Sequence, residues 1–363
     1  MLDVAIKVLE KITNKGYSAY IVGGFVRDYV LGIESSDVDI CTNAKPKELL
    51  EIFDNAKIPK EDYGSVIVYV KDIRFEITTF RREIKYLDNR KPVEIQYVNS
   101  VELDVLRRDF TINTLCMDKD KNILDLIDGL SDIDARLVKC VGNSDKKLEE
   151  DALRILRAVR FATKLRFRLD ENVVSAIKKH KHLLKNISYE RKKEELDKIF
   201  TSNNIQYGIS LLLDLGLDRD LEIPKLKDVK YTDSLMGIWT ILSVDDIYKF
   251  SNNEKDVMAS IRKALDVDNL DPYNLYNLGL YANSIAGGIK GTSNKEITLA
   301  YNNLVIENRD DIDVSATEIA KVLEKEPGRF LNEIFNDLEK EILYKRLNNK
   351  KNEILNYCID NYK

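Results

Sequence analysis

The feature that most limits the fold is a change of period along the chain. Up to about residue 137, helix-type and strand-type spacings alternate. From about residue 146 helical spacing dominates to the end and convincing strands disappear. Residues 2–15 place Val4, Val8, Leu9 and Ile12 at helical intervals. Ser18 to Val22 is a short β-type run that ends at Gly23-Gly24, and Val26 to Leu31 returns to helical spacing. Val38 to Ile40 reads as a short strand. Ser65–Val70 and Arg74–Phe80 flank Lys71-Asp72 in a hairpin pattern, and Val93–Val98 predicts a further strand. The spacing therefore predicts an α/β head over residues 1–137 and an all-helical remainder: a neck at 138–200, a body at 201–275 and a tail at 276–363. No repeat of fixed period and no low-complexity tract is present.

Charge and cysteine usage narrow the classes of function. The net charge of −5 over 363 residues excludes a uniformly basic nucleic-acid binder, so positive charge for an RNA partner has to be concentrated locally. Cys41, Cys116, Cys140 and Cys358 are far apart and form no CxxC pair, which argues against a zinc site or a disulfide framework and for a reducing compartment. The first residues read as an amphipathic helix rather than a signal peptide, and no apolar run approaches the roughly 18 residues of a spanning helix. A cytoplasmic protein with no membrane association is expected.

Asp37-Val38-Asp39 sets two carboxylates at i and i+2, on the same face if the segment is a strand. Hard oxygen ligands so placed can hold magnesium for phosphoryl transfer. Alone the signal is weak. The same spacing recurs at Asp118/Asp120, Asp132/Asp134, Asp218/Asp220, Asp266/Asp268 and Asp311/Asp313. Context distinguishes the first pair. It follows the run from Gly23 to Gly32, in which two glycines let backbone approach a phosphate, the next helix offers N-terminal amides, and Arg27 adds a forked cation. Farther on, Arg107-Arg108-Asp109-Phe110-Thr111-Ile112-Asn113 combines arginines that can bind a triphosphate with Asp109, an acceptor for ribose hydroxyls.

The stretch Glu149 to Ala162 has a packed apolar side and places Asp151 and Arg154 three residues apart, as helix-surface neighbours. The plain reading is an i,i+3 ion pair. The chemical reading starts from the bases. Cytosine and adenine both present an amino donor beside a ring-nitrogen acceptor, and uracil and guanine present the reverse. Aspartate accepts from the amino group and arginine donates to the ring nitrogen, so one Asp/Arg pair can admit C and A and reject U and G.

Taken together, the runs from Gly23 to Asp39, from Arg107 to Asn113 and from Glu149 to Arg160 resemble the class II nucleotidyltransferases: CCA-adding enzymes and bacterial poly(A) polymerases, on a polymerase β-like head. The resemblance covers roughly residues 20–200 and a tail from Pro327 to Tyr357. It implies that Asp37 and Asp39 bind catalytic Mg2+, that Gly24, Arg27, Arg108 and Asp109 contact nucleotide and ribose, that Asp151 and Arg154 read the base, and that Arg157 and Arg160 add nucleotide contacts. Glu76 either supports the carboxylate pair or is an edge-strand acid. Arg81 to Pro92 resembles the flexible loop that helps the switch from adding C to adding A, with Lys91 where arginine is usual. Ile187 to Arg191 resembles a segment that buttresses the base-reading helix, with Ser188 as its N-cap.

The partners this implies are CTP, ATP and the 3′ end of tRNA, with no obligatory protein partner. Arg166, Arg168, Lys178, Lys179, Lys181, Lys185 and Lys192, and a second group at Lys345-Arg346 and Lys350-Lys351, are the candidates for phosphate contacts. His180 and His182 are the only histidines and neither precedes an aspartate, so the metal-dependent phosphohydrolase domain of some relatives is not expected. Two other readings stand beside CCA addition: a poly(A) polymerase or A-adding enzyme of the same class, and a non-catalytic RNA-binding protein on a decayed nucleotidyltransferase fold.

Overall fold

The alternating N-terminal pattern resolves into a six-stranded mixed sheet. A computed structural model describes residues 1–35, 37–59, 64–87, 91–229, 232 and 234–363. Helix α1 (Leu2–Thr13) buries Ala5, Val8, Leu9 and Ile12, the helical stripe seen in the sequence. Strand β1 (Ala19–Val22) leads into α2 (Gly24–Val30), and β2 (Asp39–Thr42) into α3 (Pro46–Ile52). The hairpin β3 (Ser65–Val70) and β4 (Ile73–Thr79) turns through Lys71 and Asp72, both with positive φ (51° and 62°), the backbone of a tight two-residue hairpin.

Next come β5 (Arg81–Leu87), β6 (Lys91–Tyr97), α4 (Val101–Val105), β7 (Cys116–Met117), β8 (Ile123–Leu124), α5 (Gly129–Asp134) and β9 (Leu137–Val138). The sheet order is β3-β4-β2-β1-β7-β8. Ile21-Val22 on β1 and Ile40-Cys41 on β2 are consecutive buried residues, as expected of central strands covered on both faces, while Val66 and Val68 on β3 and Phe75 and Ile77 on β4 are buried in alternation.

One expectation changes here. Arg81 to Pro92 is not a loop throughout: β5 and β6 pair antiparallel as a separate two-stranded ribbon, with Arg81 opposite Tyr97. Alternation is hard to see in a run so rich in charge. The tip, Asp88-Asn89-Arg90, lies outside the described residues.

Helices then dominate: α6 (Ser144–Glu150), α7 (Leu153–Leu165), α8 (Glu171–His180), α9 (Tyr189–Phe200), α10 (Ile205–Asp214) and α11 (Leu217–Asp220). A two-residue strand, β10 (Arg168–Leu169), interrupts them and pairs parallel with β9, so the absence of strands beyond residue 146 is nearly but not wholly correct. Two residues are too few to show a period.

The chain divides into two compact units, Met1–Ile223 and Pro224–Lys363, so the expected 201–275 body spans the division. The reason is packing: α10 lies on α7 and α9, and so belongs with the first unit. Gly208 makes that approach possible. A Cβ there would lie 2.7 Å from Ile199 Cγ2 and 2.8 Å from Thr163 Oγ1. Gly208→Ala is therefore expected to destabilise the first unit by about 1–2 kcal/mol, overpacking outweighing the better helix propensity of alanine. A lower urea midpoint at unchanged m is the readout.

The second unit is helical: α12 (Leu235–Leu242), α13 (Asn252–Leu265), α14 (Pro272–Lys290), α15 (Asn294–Asn302), α16 (Ala316–Val322), α17 (Phe330–Leu343) and α18 (Lys351–Tyr362). Gly279 breaks α14 with φ 75° and ψ 166°. Ile319, Leu338, Ile342, Ile354 and Cys358 lie in one core, and the hydroxyls of Tyr357 and Tyr362 both donate to Asp337 Oδ2 at 2.7 Å, fixing α18 on α17. Among the described residues no helix is long and apolar enough to cross a membrane.

Candidate active site

Strand register brings the acids together. Asp39 begins β2, opposite Val22 at the end of β1 and beside Glu76 on the parallel neighbour β4. Asp37 precedes the strand rather than lying within it, so the two acids are neighbours without the regular i,i+2 geometry of a strand. Glu76 is not an edge-strand acid, because β3 covers the outer side of β4. Its carboxylate takes Arg74 at 3.3 Å.

The Asp39 side chain opens to solvent but is ringed by protein on its other sides. Loss of hydration, then repulsion from Asp37 and Glu76, push its carboxyl up to about 6, with Arg108 and Arg74 opposing. A set of hard, mutually repelling oxygen donors fits a divalent cation, which would relieve that repulsion. Among the described residues no three His, Cys, Asp or Glu side chains close on one metal position.

The backbone beside the acids turns at Gly23, whose φ of 80° and ψ of −133° suit glycine alone. Its N–H donates to Leu115 O at 3.2 Å, so the turn is pinned to the segment before β7. The first amides of α2, beginning at Gly24, follow directly and have no acceptor within the helix.

Arg27, expected as a forked cation for nucleotide, has its guanidinium held by protein groups. It is 2% exposed. Its Nε and NH2 donate to Asp28 Oδ1 at 2.9 and 2.6 Å, and its NH1 donates to Asn113 Oδ1. Asp28 also takes Lys164 Nζ at 2.9 Å. Arg27 thus braces the glycine turn against the 107–113 segment and α7. Sequence spacing could not show this, since Asn113 is 86 residues away.

Arg108 also lies against the turn: a Cβ on Gly23 would lie 3.7 Å from its NH1. Its NH2 donates to buried Asp104 at 3.0 Å, and its buried Nε has no hydrogen-bond partner. Burial is the largest single influence and opposes its charge, but the opposing ones together, led by Asp104, which also binds Arg107, hold the guanidinium protonated. Asp104 was not among the residues singled out from sequence. An acid three and four residues before two arginines is the signal that could have marked it.

Asp109 is also not the open acceptor expected. Its Oδ1 accepts from Phe110 N at 2.8 Å and Asn113 Nδ2 at 3.2 Å. Its Oδ2 accepts from Arg157 Nε at 2.8 Å and NH2 at 2.6 Å. Burial alone would raise its pKa, but Arg157 and the hydrogen bonds win and hold the carboxyl well below the usual range. A carboxylate has about four acceptor positions and all are engaged, so a ribose hydroxyl reaches Asp109 only when Arg157 moves aside.

The presumed single helix from Glu149 to Ala162 is broken. Asp151 has extended dihedrals (φ −143°, ψ 101°), closing α6, and its Oδ1 accepts from Leu153 N at 3.0 Å. Asp151 and Arg154 are therefore not i,i+3 neighbours on one helix. Arg154 instead donates through NH1 to Lys147 O at 2.8 Å and to Glu150 Oε2 at 3.3 Å, and through NH2 to Arg107 O at 3.5 Å. Those bonds fix the guanidinium in one orientation. Burial raises the Asp151 carboxyl, with Arg154 the leading opposing charge. Arg160 binds Glu195 Oε1 at 2.9 Å. Burial first, then repulsion from Arg157, bring it down to about 10.

Among the phosphate-contact candidates, Arg166, Arg168, Lys178 and Lys185 are exposed. Lys179 pairs with Asp145, and Lys181 donates to the carbonyls of Leu215 and Gly216. Lys192 is 1% exposed with its ammonium over the Tyr189 ring, which removes it as an RNA contact. In the second unit Arg346, Lys350 and Lys351 pair with Glu341, Glu353 and Glu318. Ser188 stands at the N-cap of α9, without a side-chain capping bond.

The chain resembles known proteins along nearly its whole length. Residues 19–139 match the Poly A polymerase head domain family, residues 166–225 the RNA- and SrmB-binding site of polymerase A, and residues 243–358 tRNA nucleotidyltransferase domain 2. The CCA-adding enzyme of Ligilactobacillus salivarius is 35% identical over 97% of this chain and 94% of its own length. That of Enterococcus faecalis is 32% identical over 98% and 95%. The crystal structure of the Bacillus stearothermophilus CCA-adding enzyme in complex with CTP superposes with a TM-score of 0.88 at 27% identity, covering 98% of this chain and 96% of that one. At such identity over nearly its whole length, the chain belongs to the family of CCA-adding enzymes, nucleotidyltransferases built on a Poly A polymerase head.

Proposed function

We infer that this protein adds C and A from CTP and ATP to the 3′ end of tRNA without a nucleic-acid template, releasing pyrophosphate. The observation that carries the reading is the full-length likeness to CCA-adding enzymes, in a chain whose strand register sets Asp39 between the Gly23 turn and Glu76. The RNA 3′-hydroxyl attacks the α-phosphate, and catalysis rests on positioning and on charge stabilisation.

Enzymes of this family depend on a divalent metal. Asp37 and Asp39 would hold Mg2+, with Glu76 beside them, and the ion would supply activation of the attacking hydroxyl and stabilisation of the leaving oxygen. Arg108 and the first amides of α2, beginning at Gly24, take the triphosphate. Asp109 takes the ribose once Arg157 turns from it toward the nucleotide, and Arg160 adds a further cation. Asp151 accepts from the amino group of C or A, and Arg154 donates to the ring nitrogen. The head carries the chemistry, the neck reads the base and the tail binds tRNA. A cytoplasmic location fits a protein that uses CTP, ATP and tRNA.

A chelator titration tests the metal requirement. Pyrophosphate release with tRNA and CTP is expected to fall to background in excess EDTA and to return with added Mg2+. Unchanged release in EDTA would contradict the role given to Asp37 and Asp39.

A further inference from the structure

Three guanidinium groups converge on one aromatic ring. The guanidinium carbons of Arg27, Arg157 and Arg160 lie 5.2, 5.3 and 4.5 Å from the centroid of Phe161, which is 8% exposed. The ring of Phe110, in the segment that carries Arg108 and Asp109, meets Phe161 edge-on at 5.8 Å and 75°. These groups come from three places in the chain: α2, the 107–113 segment and α7.

Each cation also has its own carboxylate: Asp28 for Arg27, Asp109 for Arg157 and Glu195 for Arg160. Those carboxylates sit on different elements, so none of them holds the three cations together. The contact all three share is the ring. Like charges gathered this closely repel, and after burial the repulsion from Arg157 adds to the lowered affinity of Arg160 for its proton. The carboxylate clamp on Arg160 is itself incomplete, because the buried Oε2 of Glu195 has no hydrogen-bond partner. An aliphatic side chain at 161 would fill the same space but attract no cation. The electron-rich faces of a phenyl ring attract guanidinium, more strongly when both are removed from water.

We propose that Phe161 is a positioning residue for nucleotide binding, its ring holding Arg157 and Arg160 toward the substrate while Arg27 braces the glycine turn on the same ring. Phe161 touches no reacting atom and acts through the arginines. The proposal rests on the reading that Arg157 and Arg160 meet the nucleotide. It also explains how Arg157 can leave Asp109 when ribose arrives without being lost to solvent: the ring retains it.

The test is steady-state kinetics with CTP and ATP on tRNA acceptors. Phe161→Leu is expected to raise KM about 10-fold for both nucleotides with kcat within about twofold, at a thermal midpoint near that of the unchanged protein. Mono-, di- and trifluorinated phenylalanine at 161 keep the shape and progressively weaken the ring's attraction for cations, so KM is expected to climb with each fluorine. This series decides the matter if the leucine variant folds poorly. Arg157→Gln and Arg160→Gln are measured in parallel. If both leave KM unchanged, the reading that the arginines meet nucleotide falls. If they raise KM but fluorination leaves it flat, Phe161 is a packing residue only and the proposal is overturned.

Discussion

Asp37→Ala and Asp39→Ala are each expected to reduce nucleotide addition by about a thousandfold or more, since each removes a charge that orders the reacting phosphate and hydroxyl. The fold is expected to survive. Asp39 opens to solvent, and repulsion from Asp37 and Glu76 is part of what holds its pKa up to about 6. Removing either acid relieves that repulsion, so the thermal midpoint without metal is expected to hold or rise. Loss of turnover with an undiminished midpoint is the signature of a catalytic pair. Near-normal turnover in either variant would sink the assignment. A large drop in midpoint would recast the acids as structural.

Asp151→Ala carries the second large expectation: relaxed choice of base. Discrimination against UTP and GTP is expected to fall about 10- to 100-fold, the worth of one buried hydrogen bond that is satisfied for C and A and unsatisfied for U and G. Catalytic efficiency with CTP and ATP should fall as well. Arg154→Ala is a less clean variant. It also strips donors from the carbonyls of Lys147 and Arg107, so some loss of stability, about 1–2 kcal/mol, is expected with it. Competition between CTP and UTP on one tRNA measures the ratio directly. If Asp151→Ala rejects UTP and GTP as well as the unchanged protein does, Asp151 serves only to close α6 and accept the Leu153 amide.

The elements were largely legible because their causes are local. The apolar stripe of α1, the Lys71-Asp72 hairpin and the glycine turn after β1 each follow from a few adjacent residues. The break at Asp151 was not legible. Residues on both sides have helical character, and the break arises from an aspartate bonding to a backbone amide two residues on, a choice that residue type permits but does not require. Likewise β5 forms one arm of a ribbon that strong charge masks as a loop, whereas its partner β6 overlaps the strand expected at Val93–Val98.

Within the site, the sequence named most of the relevant residues but not their partners. Arg27 and Asp109 were expected to face a ligand. The structure shows each engaged with groups far along the chain, Arg27 with Asn113 and Asp109 with Arg157. Such pairings depend on how the 107–113 segment is threaded between α2 and α7, and no local pattern encodes that. Glu76 was undecided for the same reason. Only the parallel pairing of β2 with β4 puts it beside Asp39.

The most direct measurement of the central claim is to incubate the protein with CTP, ATP and Mg2+ and three tRNA acceptors, ending before the first C, before the second C and before the terminal A, and then to sequence the products. The expected result is that all three acceptors finish in CCA and growth stops there. Addition of A alone, addition of C alone, an extended run of A or no extension at all would contradict it.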